Sequence, residues 1–106
     1  MVKEIENPEQ FENTVLKYNG MSVVDFWAGW CGPCKALSPV FDRLSEKYSA
    51  VNFVKVNVEQ NQAVAARFSV NALPTILFLK NGKVVQQITG SATESKITES
   101  LTKNMA

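Results

Sequence analysis

The sequence contains no histidine and only two cysteines. A structural zinc site takes about four protein ligands and a catalytic one about three, drawn mostly from those residue types. Zinc here would need an unusual set of carboxylates, so no metal site is expected. Charge of one sign is also missing: 11 Lys and Arg stand against 10 Asp and Glu, a formal net charge of +1. With no basic stripe and no acidic tail, nothing points to nucleic acid or to a membrane surface. No apolar run approaches the roughly 20 residues of a membrane-spanning helix. Met1-Val2-Lys3-Glu4-Ile5-Glu6 lacks the apolar stretch of a signal peptide. No dinucleotide or flavin fingerprint occurs, so no resident cofactor is expected. Internal repeats, linkers and low-complexity stretches are absent as well. The expectation is one domain over residues 1–106, with 45% hydrophobic residues to build a core. The default location is the cytoplasm, where a cysteine pair is more often catalytic than structural.

What the chain does have is Trp30-Cys31-Gly32-Pro33-Cys34-Lys35. Ser22 to Trp27 before it reads as a buried strand, and Lys35 to Tyr48 after it as an amphipathic helix. A Cys-x-x-Cys pair where a strand turns into a helix is a thiol–disulfide redox signature. A helix start leaves backbone N–H groups unpaired and carries partial positive charge, which stabilises a thiolate. Such a thiol ionises more readily, and the thiolate is the reactive form. Residues three apart on a helical turn have Cβ atoms roughly 5–6 Å apart, and a disulfide needs about 3.5–4.5 Å. A small adjustment can therefore make or break the bond. Cys31 is expected outermost, as the attacking thiol, and Cys34 inside the first turn, as the resolving thiol. A purely structural disulfide is the weaker reading, because closing a four-residue loop removes only about 2 kcal/mol of chain entropy. Inert core thiols fit poorly with Gly32 and Pro33, which shape an exposed turn.

Taken in order, Val2 to Glu6 suggests a short strand. Asn7, Pro8 and Gln10 form a helix start of the capping-box type. Phe11, Val15 and Tyr18 share one helical face, and Asn19-Gly20 stops it. Ser22-Val23-Val24-Asp25-Phe26-Trp27 is apolar on both faces except for Asp25, the pattern of a central strand. Two readings of Asp25 stand side by side. It is either a buried carboxyl beneath the cysteines that accepts the proton of Cys34, or an ordinary strand carboxylate in solvent or a salt bridge. Leu37, Val40, Phe41, Leu44 and Tyr48 make a helical stripe, with Pro39 expected to kink it near Lys35 and Ala36. Val51 to Val58 reads as a second central strand. Its Lys55 either reaches Asp25 or snorkels to the surface. Gln60 to Phe68 reads as a short helix. Ile76 to Leu79 and Val84 to Ile88 are strands joined by a type I′ turn at Asn81-Gly82. Gly90 ends the second of them. Ser91 or Thr93 caps a last helix with Ile97 and Leu101 inward. This order predicts an α/β chain whose early strands are parallel and whose last two form an antiparallel hairpin.

The residues Val24 to Lys35, with Pro39, Leu73-Pro74-Thr75, Lys80-Asn81-Gly82 and Gly90, resemble the thioredoxin family over nearly the whole chain. The resemblance implies the thioredoxin fold: a three-layer sandwich with a central five-stranded mixed sheet, ordered 1-3-2-4-5, flanked by four helices. It implies a cis peptide bond at Pro74, with that residue facing the disulfide. It makes Asp25 the family's buried carboxylate and Lys55 its neighbour. It makes Trp30, Gly32, Pro33, Ala72, Leu73, Pro74 and Gly90 a rim that docks disulfide-containing substrate proteins, held extended in a form of strand addition. It also implies a monomer served by an NADPH-dependent thioredoxin reductase. Gly32-Pro33 is the reducing members' choice; oxidising relatives usually carry histidine beside the second cysteine. Two departures, Asn57-Val58-Glu59 for the usual aspartate-bearing run and Ala72 at a position often held by glycine, bear on partner preference and not on the sulfur chemistry.

The resulting expectation is a protein-disulfide reductase working by exchange through Cys31 and Cys34. An oxidant or isomerase of disulfides, and a non-catalytic adaptor that uses the rim only to dock, are the competing readings. The expectation has a direct test. In the reduced protein, Cys31 should react with a thiolate-selective alkylator in neutral solution, whereas a free cysteine reacts appreciably only in alkaline solution.

Overall fold

The computed structural model describes residues 1–105. Five strands, β1 (Val2–Ile5), β2 (Met21–Trp27), β3 (Asn52–Asn57), β4 (Thr75–Lys80) and β5 (Lys83–Thr89), lie in the order β1-β3-β2-β4-β5. Both β1 and β2 run parallel to β3, while β4 is antiparallel to β2 and to β5. The helices are α1 (Pro8–Phe11, continued by a π-helical turn over Glu12–Leu16), α2 (Gly32–Lys47), α3 (Gln62–Arg67) and α4 (Glu94–Met105).

Strand alternation sorts the side chains into two cores. Val24, Phe26, Val54, Val56, Leu77 and Leu79 pack with Phe11 and Val15 and with Val64 of α3. Val23, Phe53, Ile76 and Phe78 pack with Leu37, Phe41 and Leu44 of α2 and with Ile97 and Leu101 of α4. Asp25 is two residues from Val23 and Lys55 two from Phe53, so both belong to the α2 face. Glu4 belongs there too, since Val2 joins the α2-side core and Ile5 the other. The centre of β2 is closed on both faces, as its apolar run predicts.

Local signals hold with small shifts. Asn7 Oδ1 accepts the Gln10 N–H at 2.8 Å, and Gln10 Oε1 accepts the Glu6 N–H at 2.6 Å. The first helix ends sooner than its apolar spacing suggests. Lys17 N–H bonds back to the Glu12 carbonyl, a five-residue step, so Tyr18 falls outside the helix and Leu16 joins the core edge. The second helix begins at Gly32 rather than Lys35, and runs on through Pro39 to Lys47. Thr93, not Ser91, caps α4: its Oγ1 accepts the Lys96 N–H at 3.2 Å. At the hairpin Asn81 (φ 53°) and Gly82 (φ 79°) both take the left-handed backbone of a type I′ turn. A Cβ at Gly82 would collide with the Leu16 carbonyl oxygen, so glycine is required there.

Phe41 is completely buried and meets Phe53 edge-on, with ring centroids 5.1 Å apart. Phe41→Ala removes that ring from the layer that holds α2 to the sheet. The expected cost is about 3–5 kcal/mol, read as a lower urea midpoint with little change in slope.

Candidate active site

Cys31 is the N-cap of α2, extended at φ −87° and ψ 106°, and its sulfur accepts the Cys34 N–H at 3.2 Å. The two cysteines are joined in a disulfide with Cα atoms 5.3 Å apart. The sulfur of Cys31 thus occupies the place where an N-cap oxygen usually sits, facing the unpaired N–H groups of the first turn. Cys31 is outermost along the helix and Cys34 lies inside the first turn, as expected, although in this disulfide form the two are almost equally buried, 4% and 3% exposed. Their surroundings differ instead. Both belong to a small buried cluster with Ala28, against which Trp27, Val58 and Leu73 pack. Cys34 alone also lines a cavity of about 220 Å³ bounded by Glu4, Asp25, Trp27, Lys35, Ser38 and Lys55.

Asp25 is the buried group of the two readings, 1% exposed. Neither carboxyl oxygen has a hydrogen-bond partner among the described residues. Burial pushes its pKa up to about 7; the Lys55 ammonium pulls it back and the Glu4 carboxylate adds to the rise. Parallel register sets Asp25 directly beside Lys55 on β3. Lys55 does not form an ion pair with it, however, and neither does it snorkel free. Its Nζ donates to Ser38 Oγ on α2 at 2.6 Å. That hydroxyl draws the ammonium toward the helix, so the lysine acts on Asp25 through space only.

The expected docking residues divide between two grooves. Pro33, Pro74 and Gly90 line one of about 230 Å³ with Ala36, Leu37, Val40 and Ala92. Trp30, Ala72 and Leu73 line another of about 200 Å³ with Val58, Val70 and Asn71. Gly32 lies exposed and lines neither, and Trp30 is 69% exposed. The Leu73–Pro74 bond is cis, and the Pro74 carbonyl accepts the Gly90 N–H at 2.9 Å. Sequence reasoning missed Glu4, Trp27 and Ser38 at the cavity. Period-two spacing would have put Glu4 on the Asp25 face, but only a strand order with β3 between β1 and β2 brings the two together.

A profile of the family described as Thioredoxin matches residues 2–103. The chain belongs to the thioredoxin family. It is 39% identical over 105 residues to Thioredoxin-1 of Schizosaccharomyces pombe, across 99% of this chain and 100% of that protein. It is 41% identical over 92 residues to a thioredoxin of Haemophilus influenzae, across 86% of each. The thioredoxin structure of Fasciola hepatica superposes with a TM-score of 0.90 at 38% identity, covering 95% of this chain and 97% of that one. The sheet order and four helices are those of the thioredoxin fold, and the Cys-x-x-Cys pair is the redox centre of a protein-disulfide oxidoreductase. Disulfide substrates and a partner reductase come with the family. Among the described residues no helix is long and apolar enough to cross a membrane, and no cluster of potential metal ligands forms.

The Asp25 carboxyl binds its proton more tightly folded than unfolded. Its protonated form stabilises the fold fully below its ordinary value of 3.8, and that contribution is lost as pH rises through about 7. Chemical denaturation across this window should show the wild type losing up to about 4 kcal/mol relative to Asp25→Asn.

Proposed function

We propose that this chain is a monomeric, single-domain reductant of protein disulfides in the cytoplasm, carrying electrons from an NADPH-dependent thioredoxin reductase. In this reading Cys31 is the nucleophile. Its thiolate attacks a substrate disulfide, forming a mixed disulfide and expelling the first substrate thiolate. Asp25 takes the proton of Cys34, whose thiolate then attacks Cys31. The second substrate thiolate leaves, and the 31–34 bond closes. Two electrons have passed to the substrate, and the reductase returns them. Lys55, through the cavity, keeps Asp25 from holding its proton too strongly. Trp30, Gly32, Pro33, Ala72, Leu73, Pro74 and Gly90 receive the substrate on either side of the disulfide.

The observation that carries this assignment is the asymmetry around the sulfurs. Cys31 caps α2, where its thiolate meets helix N–H groups, while Cys34 shares a cavity with a base that has no other partner. A base near the working pH is the useful kind for taking a thiol proton.

The two cysteines should therefore fail differently. Cys34→Ser is expected to accumulate a mixed disulfide with an added protein substrate, seen as a mass adduct released by dithiothreitol. Cys31→Ser should form none, and both should lose insulin-disulfide reduction. Adducts through Cys34 instead would reverse the roles, and retained biological function in the double serine variant would favour the adaptor reading.

A further inference from the structure

Glu4 stands where the sheet and the cavity meet. Across β1, β3 and β2 the register aligns Glu4 with Lys55 and Lys55 with Asp25. All three belong to the α2 face and line the same cavity. Two strand spacings set the Glu4 and Asp25 backbones about 10 Å apart. The Trp27 indole N–H donates to Glu4 Oε2 at 3.3 Å, which orients the carboxylate from inside the site. The lysine between the two acids lowers Asp25 more than Glu4 raises it, even with its ammonium bonded to Ser38 on the helix, so Glu4 acts as a counterweight to Lys55.

We propose that Glu4 is a positioning residue for the exchange reaction: its carboxylate at the cavity mouth keeps Asp25 a strong enough base to take the proton of Cys34. This rests on the role of Asp25 given above. The charged groups lining this cavity are Glu4 from β1, Lys55 from β3 and Lys35 from α2, with Asp25 itself on β2 and the Cys34 thiol on α2. Of these, Glu4 alone brings a second negative charge. An anion there disfavours a second anion on Asp25, and Lys55 opposes it. Glu4 itself is raised above the usual carboxylate range, first by desolvation and last by Glu6, against the Trp27 hydrogen bond and Lys55. Glu4 makes no hydrogen bond to either sulfur among the described residues, so it acts through space, and the Asp25 titration reads its effect on that carboxyl directly. Exchange then proceeds with ordinary atom balance: the Cys34 proton moves to Asp25 as the 31–34 bond forms and the substrate–sulfur bond breaks.

The test is the pH profile of oxidation of the reduced protein by a model peptide disulfide. It is followed by tryptophan fluorescence, alongside a carbon-13 titration of the Asp25 carboxyl. Glu4→Gln keeps an acceptor for Trp27 and removes the charge. It should move the acid limb and the Asp25 titration down by about half to one pH unit. Glu4→Asp should leave both close to wild type, and Lys55→Met should move both upward. An unmoved limb in Glu4→Gln, or an equal shift in Glu4→Asp, overturns the proposal. Asp25→Asn separates the two claims. If it retains the acid limb, the reading of Asp25 fails; if it abolishes the limb while Glu4→Gln leaves it in place, only the role of Glu4 fails.

Discussion

A carboxyl group held in the middle of a sheet, with no hydrogen-bond partner for either oxygen among the described residues, is the constraint around which the site is built. Ionising such a group in a closed interior is costly, and an apolar residue would fill its place at lower cost. Strand alternation leaves no other orientation. Val24 and Phe26 are needed in the core on the α1 and α3 side, so Asp25 must face α2. The same alternation brings Lys55 and Glu4 to that face. Three ionisable groups therefore share the underside of one helix start, and their balance decides when Asp25 is a base. Stability is given up at neutral pH to keep a carboxyl beside Cys34, where the proposed mechanism uses it as a proton acceptor, the local inconsistency expected of a functional site.

The helix supplies the other half. Because α2 begins at Gly32, Cys31 is its cap and Cys34 lies within its first turn. The helix start favours anionic sulfur on Cys31, and in the proposed mechanism the cavity below gives Cys34 a route to lose its proton. One backbone feature thus prepares two thiols for different tasks, although in the disulfide form they are equally buried. Phe41 and Leu44, two and three turns further on, anchor the helix to the sheet, so the position of the sulfurs depends on a core remote from them.

Much of this was legible in the residues. The pair at 31 and 34, the buried run of β2, the hairpin at Asn81-Gly82 and the cap at Asn7 each follow from a local rule that tertiary packing did not override. The failures were of two kinds. Tyr18 was misplaced because a π-helical turn closes the first helix one step wide, and no spacing rule for a regular helix foresees that. Lys55 neighbours Asp25 and lowers its pKa, as one of its two readings holds, but its hydrogen bond goes to a partner that neither reading names. Ser38 on α2 outcompetes both the carboxylate and the solvent, and a contact between a strand and a helix is invisible to periodicity. Glu4 went unnoticed for a related reason. Residues on nonadjacent strands become neighbours only through the sheet order, which local pattern does not specify.

The division of the proposed docking residues into two grooves bears on how one protein could serve many substrates. Pro33 and Pro74 lie in one groove, Trp30 and Leu73 in the other, and each has a lining that is mostly apolar. The one charged residue lining either is Glu94, and its carboxylate is already bound to Arg43 at 2.6 Å. A surface with little free charge gives weak discrimination by sequence, since a methylene more or less in an apolar groove changes binding by only about 1–3 kcal/mol. On the proposed function, selection then falls on what all substrates share, an accessible disulfide in an extended segment whose backbone can pair beside Pro74. On that reading the grooves bring a sulfur to Cys31 without favouring any one side chain. In the proposed mechanism, the groups lining the cavity beneath then govern how readily exchange goes forward.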